Sequence, residues 1–212
     1  MKLNKKIKAV FFDFDGVLID SKSVMEISWS LIQKKYSISI DFDIYSKFIG
    51  IPFSDILKSL HIELSLHERI KADYFESTSN NKLHIKLNKY SHSLLLWLRK
   101  NSIATGLVTS KDKIRTNELI EYFKLKFDTI VTPENTEKGK PYPEPIYLAS
   151  NRLNLQVSNV LYVGDMRTDL LSAQSAKCRY LHFQKGYQRI INLEYGGEIY
   201  SLLDIKDFLY YL

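Results

Sequence analysis

Asp13-Phe14-Asp15-Gly16-Val17-Leu18-Ile19-Asp20, directly after the apolar run Ala9-Val10-Phe11-Phe12, reads as a buried strand that ends in two carboxylates. Side chains two apart on an extended backbone point to the same side, so Asp13 and Asp15 leave the strand together. Open α/β sheets place their ligand crevice at that carboxyl end. Gly16 can adopt backbone angles that a Cβ forbids, which allows a sharp turn there. Two like charges this close require a cation or a proton between them.

Downstream, the rhythm is first helical and then alternating. Val24, Ile27, Leu31, Ile32 and Tyr36 recur at helix spacing, followed by Phe42, Tyr45, Phe48 and Ile49 before the break at Gly50-Ile51-Pro52. Phe53, Ile56, Leu57 and Leu60 predict a third helix, and Leu66, Ile70, Tyr74 and Phe75 a fourth. From about residue 90 strands and helices alternate, with strands at 103–108, 127–131, 159–163 and 180–183 and helices around Leu94–Leu98, Asp112–Phe123, Glu144–Leu153 and Thr168–Ala176. Asp112 is the expected N-cap of its helix. Such alternation argues for a parallel sheet wound on both faces, joined by the first strand across a helical insert.

Composition narrows the classes. The chain has 212 residues, 45% hydrophobic and 13% aromatic, enough for a packed core plus an insert and against wholesale disorder. Cys178 is the only cysteine, so no internal disulfide can form, which fits a reducing compartment. The first residues are basic, but Lys8 and Asp13 interrupt the apolar run that a signal peptide needs, and nowhere do eighteen apolar residues run together. A cytoplasmic protein is expected. The net charge is +6, yet the lysines are mixed with acids and form no basic stripe, so a lysine-rich solvated surface is favoured over nucleic-acid binding.

Three further polar signals lie at predicted strand ends. Thr109-Ser110 follows Leu107-Val108, Lys140 stands in Lys138-Gly139-Lys140-Pro141 before a helix, and Gly164-Asp165 follows Val163 with Asp169 four residues on. In this order the residues resemble the haloacid dehalogenase superfamily of phosphoryl-transfer enzymes. Its D-x-D-G-x motif matches Asp13 to Val17, its strand ending in Thr or Ser matches Ile103 to Thr109, its lysine matches Lys140, and its G-D-x-x-x-D matches Gly164 to Asp169. The resemblance covers nearly the whole chain and is nearest to phosphoglycolate phosphatases, pyrophosphatases and β-phosphoglucomutases. Gly186-Tyr187 also resembles a Gly-Tyr near the end of several of these phosphatases.

The resemblance implies an α/β fold, a Rossmann-like parallel sheet core formed by residues 1–20 and 85–212, with a small α-helical cap domain inserted at 21–84. It implies Asp13 as nucleophile, Asp15 as acid and base, Thr109 and Ser110 on the phosphoryl group, Lys140 neutralising Asp13, and Asp169 in a supporting role toward Lys140 or a ligand water. Mg²⁺ would be held by Asp13, Asp165 and the backbone carbonyl of Asp15, an all-oxygen set that suits it, and no His/Cys cluster offers zinc spacing. An Asp at position 15 points to a phosphatase or phosphomutase, since dehalogenases need no proton for a halide. Related sugar phosphomutases carry an Arg in a cap loop, where this chain has Gly50-Ile51-Pro52-Phe53, so Gly50 and Phe53 become candidate substrate contacts. The expected activity is Mg²⁺-dependent hydrolysis of a small phosphomonoester through an aspartyl-phosphate, like phosphoglycolate phosphatase. The alternatives are a sugar phosphomutase of the β-phosphoglucomutase type or a pyrophosphatase, with a non-enzymatic or nucleic-acid-binding protein behind them. The expected partner is a small phosphorylated metabolite, with neither nucleic acid nor membrane, and no oligomeric state is read from the chain.

Overall fold

The computed structural model describes residues 6–211. Its centre is strand β1 (Ala9–Phe12), in which Val10 and Phe12 face one side and Ala9 and Phe11 the other, all four fully buried. A strand covered on both faces needs no polar alternation, which is why this run is continuously apolar. Two short strands, β2 (Ile19–Asp20) and β3 (Lys86–Leu87), pair antiparallel, and between them lie helices α1 (Lys22–Tyr36), α2 (Phe42–Ser46), α3 (Phe53–Ser59) and α4 (His67–Asn80). The chain then alternates through α5 (Ser91–Lys100), β4 (Ala104–Val108), α6 (Lys113–Tyr122), β5 (Thr129–Val131), α7 (Glu144–Arg152), β6 (Val160–Gly164), α8 (Arg167–Ala176) and β7 (Arg179–Phe183), closing with β8 (Gly197–Ile199) and α9 (Asp204–Tyr211).

The main sheet has the order β5-β4-β1-β6-β7-β8, and every pairing in it is parallel. The chain moves to one side of β1 for β4 and β5 and to the other for β6, β7 and β8. The order therefore reverses around β1, and such a switch opens a crevice at the carboxyl ends of the strands. On one face, Val10, Phe12, Leu107 and Val163 pack with Leu94 and Leu98 of α5 and Ile205 and Leu209 of α9. On the other, Phe11, Val108, Tyr162 and Tyr180 pack with Ile146 and Ala149 of α7 and Ala173 of α8. At about 1.5–3 kcal/mol per fully buried large apolar side chain, these two layers dominate the stability of the sheet.

Helices α1 to α4 build a separate cluster from Trp29, Ile32, Tyr45, Phe53, Leu57, Ile70 and Tyr74, joined by Met166 at the start of α8. Trp29 is buried with its indole N–H donated to Ile40 O at 2.7 Å, a packing role, as the helical spacing suggests. Asp112 caps α6 as expected, its Oδ1 accepting from Arg115 N at 3.0 Å. The expected second insert helix is shorter than its apolar spacing suggests, ending at Ser46. The two crossings into and out of the helical stretch lie side by side, because Asn88 Nδ2 donates to Val17 O at 2.7 Å and Ser91 Oγ to Leu18 O at 2.9 Å. Among the described residues no helix is long and apolar enough to cross a membrane.

Candidate active site

The ladder of β1 continues one residue past the strand, with Asp13 N donating to Val163 O at 2.9 Å, and this fixes Asp13 at the mouth of the crevice. The chain then turns back on itself, Gly16 N donating to Ile19 O at 2.7 Å. Gly16 sits at φ +86°, and a Cβ there would lie 2.0 Å from Asp165 Oδ2, so only glycine lets the two loops meet.

Asp165 follows β6 and Asp169 lies in the first turn of α8. The carboxylates of Asp13, Asp165 and Asp169 each present an oxygen within 4.8 Å of the others. Lys140 Nζ bridges Asp13 Oδ1 and Asp169 Oδ1, both at 2.8 Å, and is almost fully buried. Asp169 is committed elsewhere too: Oδ1 accepts from Tyr162 OH at 2.7 Å, and Oδ2 accepts from Asp165 N at 3.2 Å and Met166 N at 3.0 Å. Four donors make Asp169 an anchor for Lys140 and for the loop of Asp165. By contrast, Asp165 Oδ2 accepts from Tyr187 N at 2.6 Å while its Oδ1 is buried with no partner.

This electrostatic balance is uneven. Burial, reinforced by the charges of Asp169 and Asp15 against the pull of Lys140, raises the Asp13 carboxyl from 3.8 to about 7. Burial and the charges of Asp13 and Asp169 push Asp165 well above the ordinary range. Burial alone would lower Lys140, but Asp13 and Asp169 outweigh it and hold the ammonium above its usual value. Three buried acids share one lysine. An oxygen-seeking cation fits this set, since it would take the orphaned Asp165 Oδ1 and relieve the repulsion.

Asp15 lies beside this cluster, with Ser21 Oγ donating a short hydrogen bond to its Oδ1 and Lys111 Nζ 3.1 Å from its Oδ2. Thr109 continues β4, its N–H donating to Val131 O at 3.0 Å and its hydroxyl oxygen accepting from Lys111 N at 3.1 Å. Ser110 Oγ donates to Gly50 O at 2.7 Å, so its hydroxyl ties the strand-end loop to the helical stretch. Asp13, Asp15, Thr109, Ser110, Gly50 and Phe53 all line one cavity. Phe53 is also a packing residue, its ring stacked on Tyr74 with centroids 4.3 Å apart.

Reasoning from sequence alone misses Lys111, Arg115 and Ser21 here, and marks Tyr187 only through the resemblance of Gly186-Tyr187. Lys111 and Arg115 line the same cavity as Asp15. Burial lowers the Lys111 ammonium despite the opposing charge of Asp15. Arg115 is ion-paired with Asp112 and lies over the ring of Phe75, 3.8 Å from its centroid. Their signal is position, Lys111 two residues beyond the strand-end Thr109 and Arg115 on the first turn of α6. Ser21 carries no such signal, and Tyr187 only that of the Gly186-Tyr187 pair, because their contacts with Asp15 and Asp165 arise only in the folded chain.

Comparison with known proteins agrees with this architecture. A family model described as haloacid dehalogenase-like hydrolase matches residues 10–183. The chain is 26% identical over 211 residues to the pyrophosphatase PpaX of Oceanobacillus iheyensis, covering 96% of this chain and 95% of that protein. It is 26% identical to a phosphoglycolate phosphatase of Yersinia pestis, covering 86% and 83% respectively. A crystal structure of a hydrolase from Pseudomonas syringae superposes with a TM-score of 0.86 at 22% identity, over 95% of this chain and 97% of that one. The matched stretch holds every residue of the site except Gly186 and Tyr187, and the protein belongs to the haloacid dehalogenase-like hydrolase family.

Proposed function

We propose that the protein is a Mg²⁺-dependent phosphatase that hydrolyses a small phosphomonoester through an aspartyl-phosphate on Asp13. The observation that carries this reading is the buried cluster of Asp13, Asp165 and Asp169 around Lys140, with Asp165 Oδ1 buried and unpartnered. Asp13, Asp165 and the backbone carbonyl of Asp15 would hold Mg²⁺, which when bound screens the substrate phosphate from the carboxylates and stabilises charge on its oxygens. A carboxylate oxygen of Asp13 attacks phosphorus while Asp15 protonates the departing oxygen. Asp15 then takes a proton from water, whose oxygen attacks phosphorus and frees Asp13. Lys140 works against burial to favour the ionised nucleophile and holds it in place, and Thr109 and the loop at Ser110 border the phosphoryl position.

Residues 21–84 form a cap over the site in this reading, since Gly50 and Phe53 face the same cavity as Asp13 and Asp15. Lys111 and Arg115 in its wall favour a substrate with a second anionic group, a carboxylate or a second phosphate, which keeps pyrophosphate and phosphoglycolate in the same class. The buried lone thiol of Cys178 fits a cytoplasmic setting.

The test is phosphate release with Mg²⁺ across phosphoglycolate, sugar phosphates, nucleotides and pyrophosphate, in the wild type and in Asp13→Asn. Turnover in the wild type that EDTA abolishes, with none in a homogeneous, non-deamidated Asp13→Asn preparation, supports the reading. Near-normal turnover by that variant removes Asp13 as nucleophile.

A further inference from the structure

The cavity that holds Asp13 and Asp15 is unlike at its two ends. The strand ends border it with acids and Thr109, whereas the helical stretch borders it with Met25, Ile49, Phe53 and Ile56. Three polar side chains share that apolar end: Tyr45, Tyr74 and Arg115, which are 2%, 1% and 8% exposed. Both tyrosine rings are clamped, Tyr45 by Trp29 with centroids 4.5 Å apart and Tyr74 by Phe53 at 4.3 Å. Phenylalanine would stack equally well in either place. The two hydroxyls therefore add nothing to the packing, and a buried hydroxyl is costly unless it finds a partner.

Tyr45 OH and Tyr74 OH lie 2.8 Å apart. Burial raises both phenols, that of Tyr74 to about 12 against the pull of Arg115, so both keep their protons. One proton fills the bond between the two oxygens, and the other has no acceptor among the described residues. Arg115 is only partly engaged. Its Nε donates to Asp112 Oδ2 and its Nη1 is 3.4 Å from Thr78 Oγ1. Apart from the Tyr74 phenol beside it, its other N–H groups meet no acceptor among the described residues. This end of the cavity thus offers buried donors. It offers little surplus charge, because Arg115 is matched by Asp112 and Lys111 by Asp15 at 3.1 Å. A carboxylate brings two acceptor oxygens and one charge, whereas a second phosphate brings more charge than this end can balance. The apolar side chains around the donors favour a hydrocarbon body over a polyol, whose hydroxyls would be left without partners.

We propose that Tyr45, Tyr74 and Arg115 are specificity-determining residues that receive the far end of the leaving group, and that they fit a phosphate ester whose leaving group is an apolar body ending in a carboxylate. The inference rests on the phosphatase reading and narrows it. Pyrophosphate has no carbon body, phosphoglycolate has a single methylene, and sugar phosphates carry hydroxyls along their length.

The experiment measures kcat/KM with Mg²⁺ on phosphorylated ω-hydroxy acids of increasing chain length, beside the alkyl phosphates and alkane bisphosphates of the same lengths, pyrophosphate and a hexose phosphate. In the wild type the carboxylate should be the best substrate at each length beyond phosphoglycolate, at least about tenfold above the alkyl phosphate and the bisphosphate. It should also exceed pyrophosphate, phosphoglycolate and the hexose phosphate. Either tyrosine alone leaves one phenol proton to give, so the decisive variant is Tyr45→Phe with Tyr74→Phe, which keeps both stacked rings. Its advantage for carboxylate over alkyl phosphate should fall about tenfold, with thermal melts recorded beside the wild type. Arg115→Lys, which loses the planar fork, should lower the same ratio and carries the test should the double variant fold poorly. Equal turnover of carboxylate and alkyl esters by the wild type, or a ratio that neither variant moves, overturns the inference. A loss of equal size on every ester also overturns it, since the hydroxyls would then serve only the fold. No phosphate release from any ester defeats the phosphatase reading and this assignment with it, whereas release without a carboxylate preference defeats the assignment alone.

Discussion

Removing divalent cations should make the stability of this protein fall as pH rises toward neutrality, and the size of the fall can be worked from Asp13. Its carboxyl is raised from 3.8 to about 7, mainly by burial. Below about pH 4 both folded and unfolded chains hold this proton, so it contributes no difference. Between about pH 4 and 7 the folded chain keeps a proton that the unfolded chain has shed, and stability declines. A shift of about three pKa units corresponds to about 4 kcal/mol, fully lost once the pH passes the folded value. Asp165, raised by burial and by the charges of Asp13 and Asp169, acts in the same direction. At about 2–4 °C per kcal/mol for a chain of this size, the Asp13 share alone is about 8–16 °C in Tm. The assay is a series of thermal melts from about pH 5 to 7.5 in EDTA and in millimolar Mg²⁺, for the wild type and Asp13→Asn. Subtracting the variant isolates Asp13 from carboxylates such as Asp112 and Glu118, which are held below their usual range and contribute the opposite slope. Mg²⁺ should recover much of the loss at the upper end, about 2.7 kcal/mol at a hundredfold excess over its Kd. A metal-free Tm that stays flat or rises over this range, or an equal slope in Asp13→Asn, refutes the reasoning.

Lys140→Met should cost about 3–5 kcal/mol in a urea titration, because it strands Asp13 and Asp169 without their shared cation; a loss below about 1 kcal/mol would mean that the two acids are already neutral. Gly186→Ala forces a Cβ to within 2.3 Å of Asp165 Oδ2, so Mg²⁺ affinity measured by calorimetry should drop by at least about tenfold; unchanged affinity would place Asp165 outside the metal site. Phe53→Ala empties the stack on Tyr74 and should destabilise by about 3–5 kcal/mol while raising KM. If stability falls and KM holds, Phe53 packs the helices without meeting substrate.

The sheet was legible because each strand carries its own signal. Val10, Phe11 and Phe12 are buried on both faces, and Leu161, Tyr162 and Val163 repeat that pattern before Gly164 and Asp165. The strands β2 and β3 were not, since two residues cannot display a period and their pairing is set by the return of the chain at Asn88 and Ser91. Strand β8 is three residues long and begins with Gly197. Helix α9 was readable and passed over: Ile205 and Leu209 are spaced four apart, and Asp204 accepts from Tyr200 N and Ser201 N just before it. In the site, Asp13, Thr109 and Asp165 could be found because strand ends present them, and Lys140 and Asp169 because a motif fixes their order. Lys111, Arg115, Ser21 and Tyr187 act on partners distant in sequence or across a turn, and no local pattern announces such a partner.

The central place of β1 also sets an order of events during synthesis. Ala9 pairs with Ala104 on one side and with Val160 on the other, so β1 is made well before the two strands that complete it. At about 5–20 residues per second, the interval between them is on the order of ten seconds. During that time the run Ala9-Val10-Phe11-Phe12, apolar on both faces, has at most one neighbouring strand and an open edge. The polar bracket around it, with Lys6 and Lys8 before and Asp13 and Asp15 after, places charge on either side of the exposed run. The same two acids that later face the crevice thus act first as gatekeepers against pairing with another nascent chain.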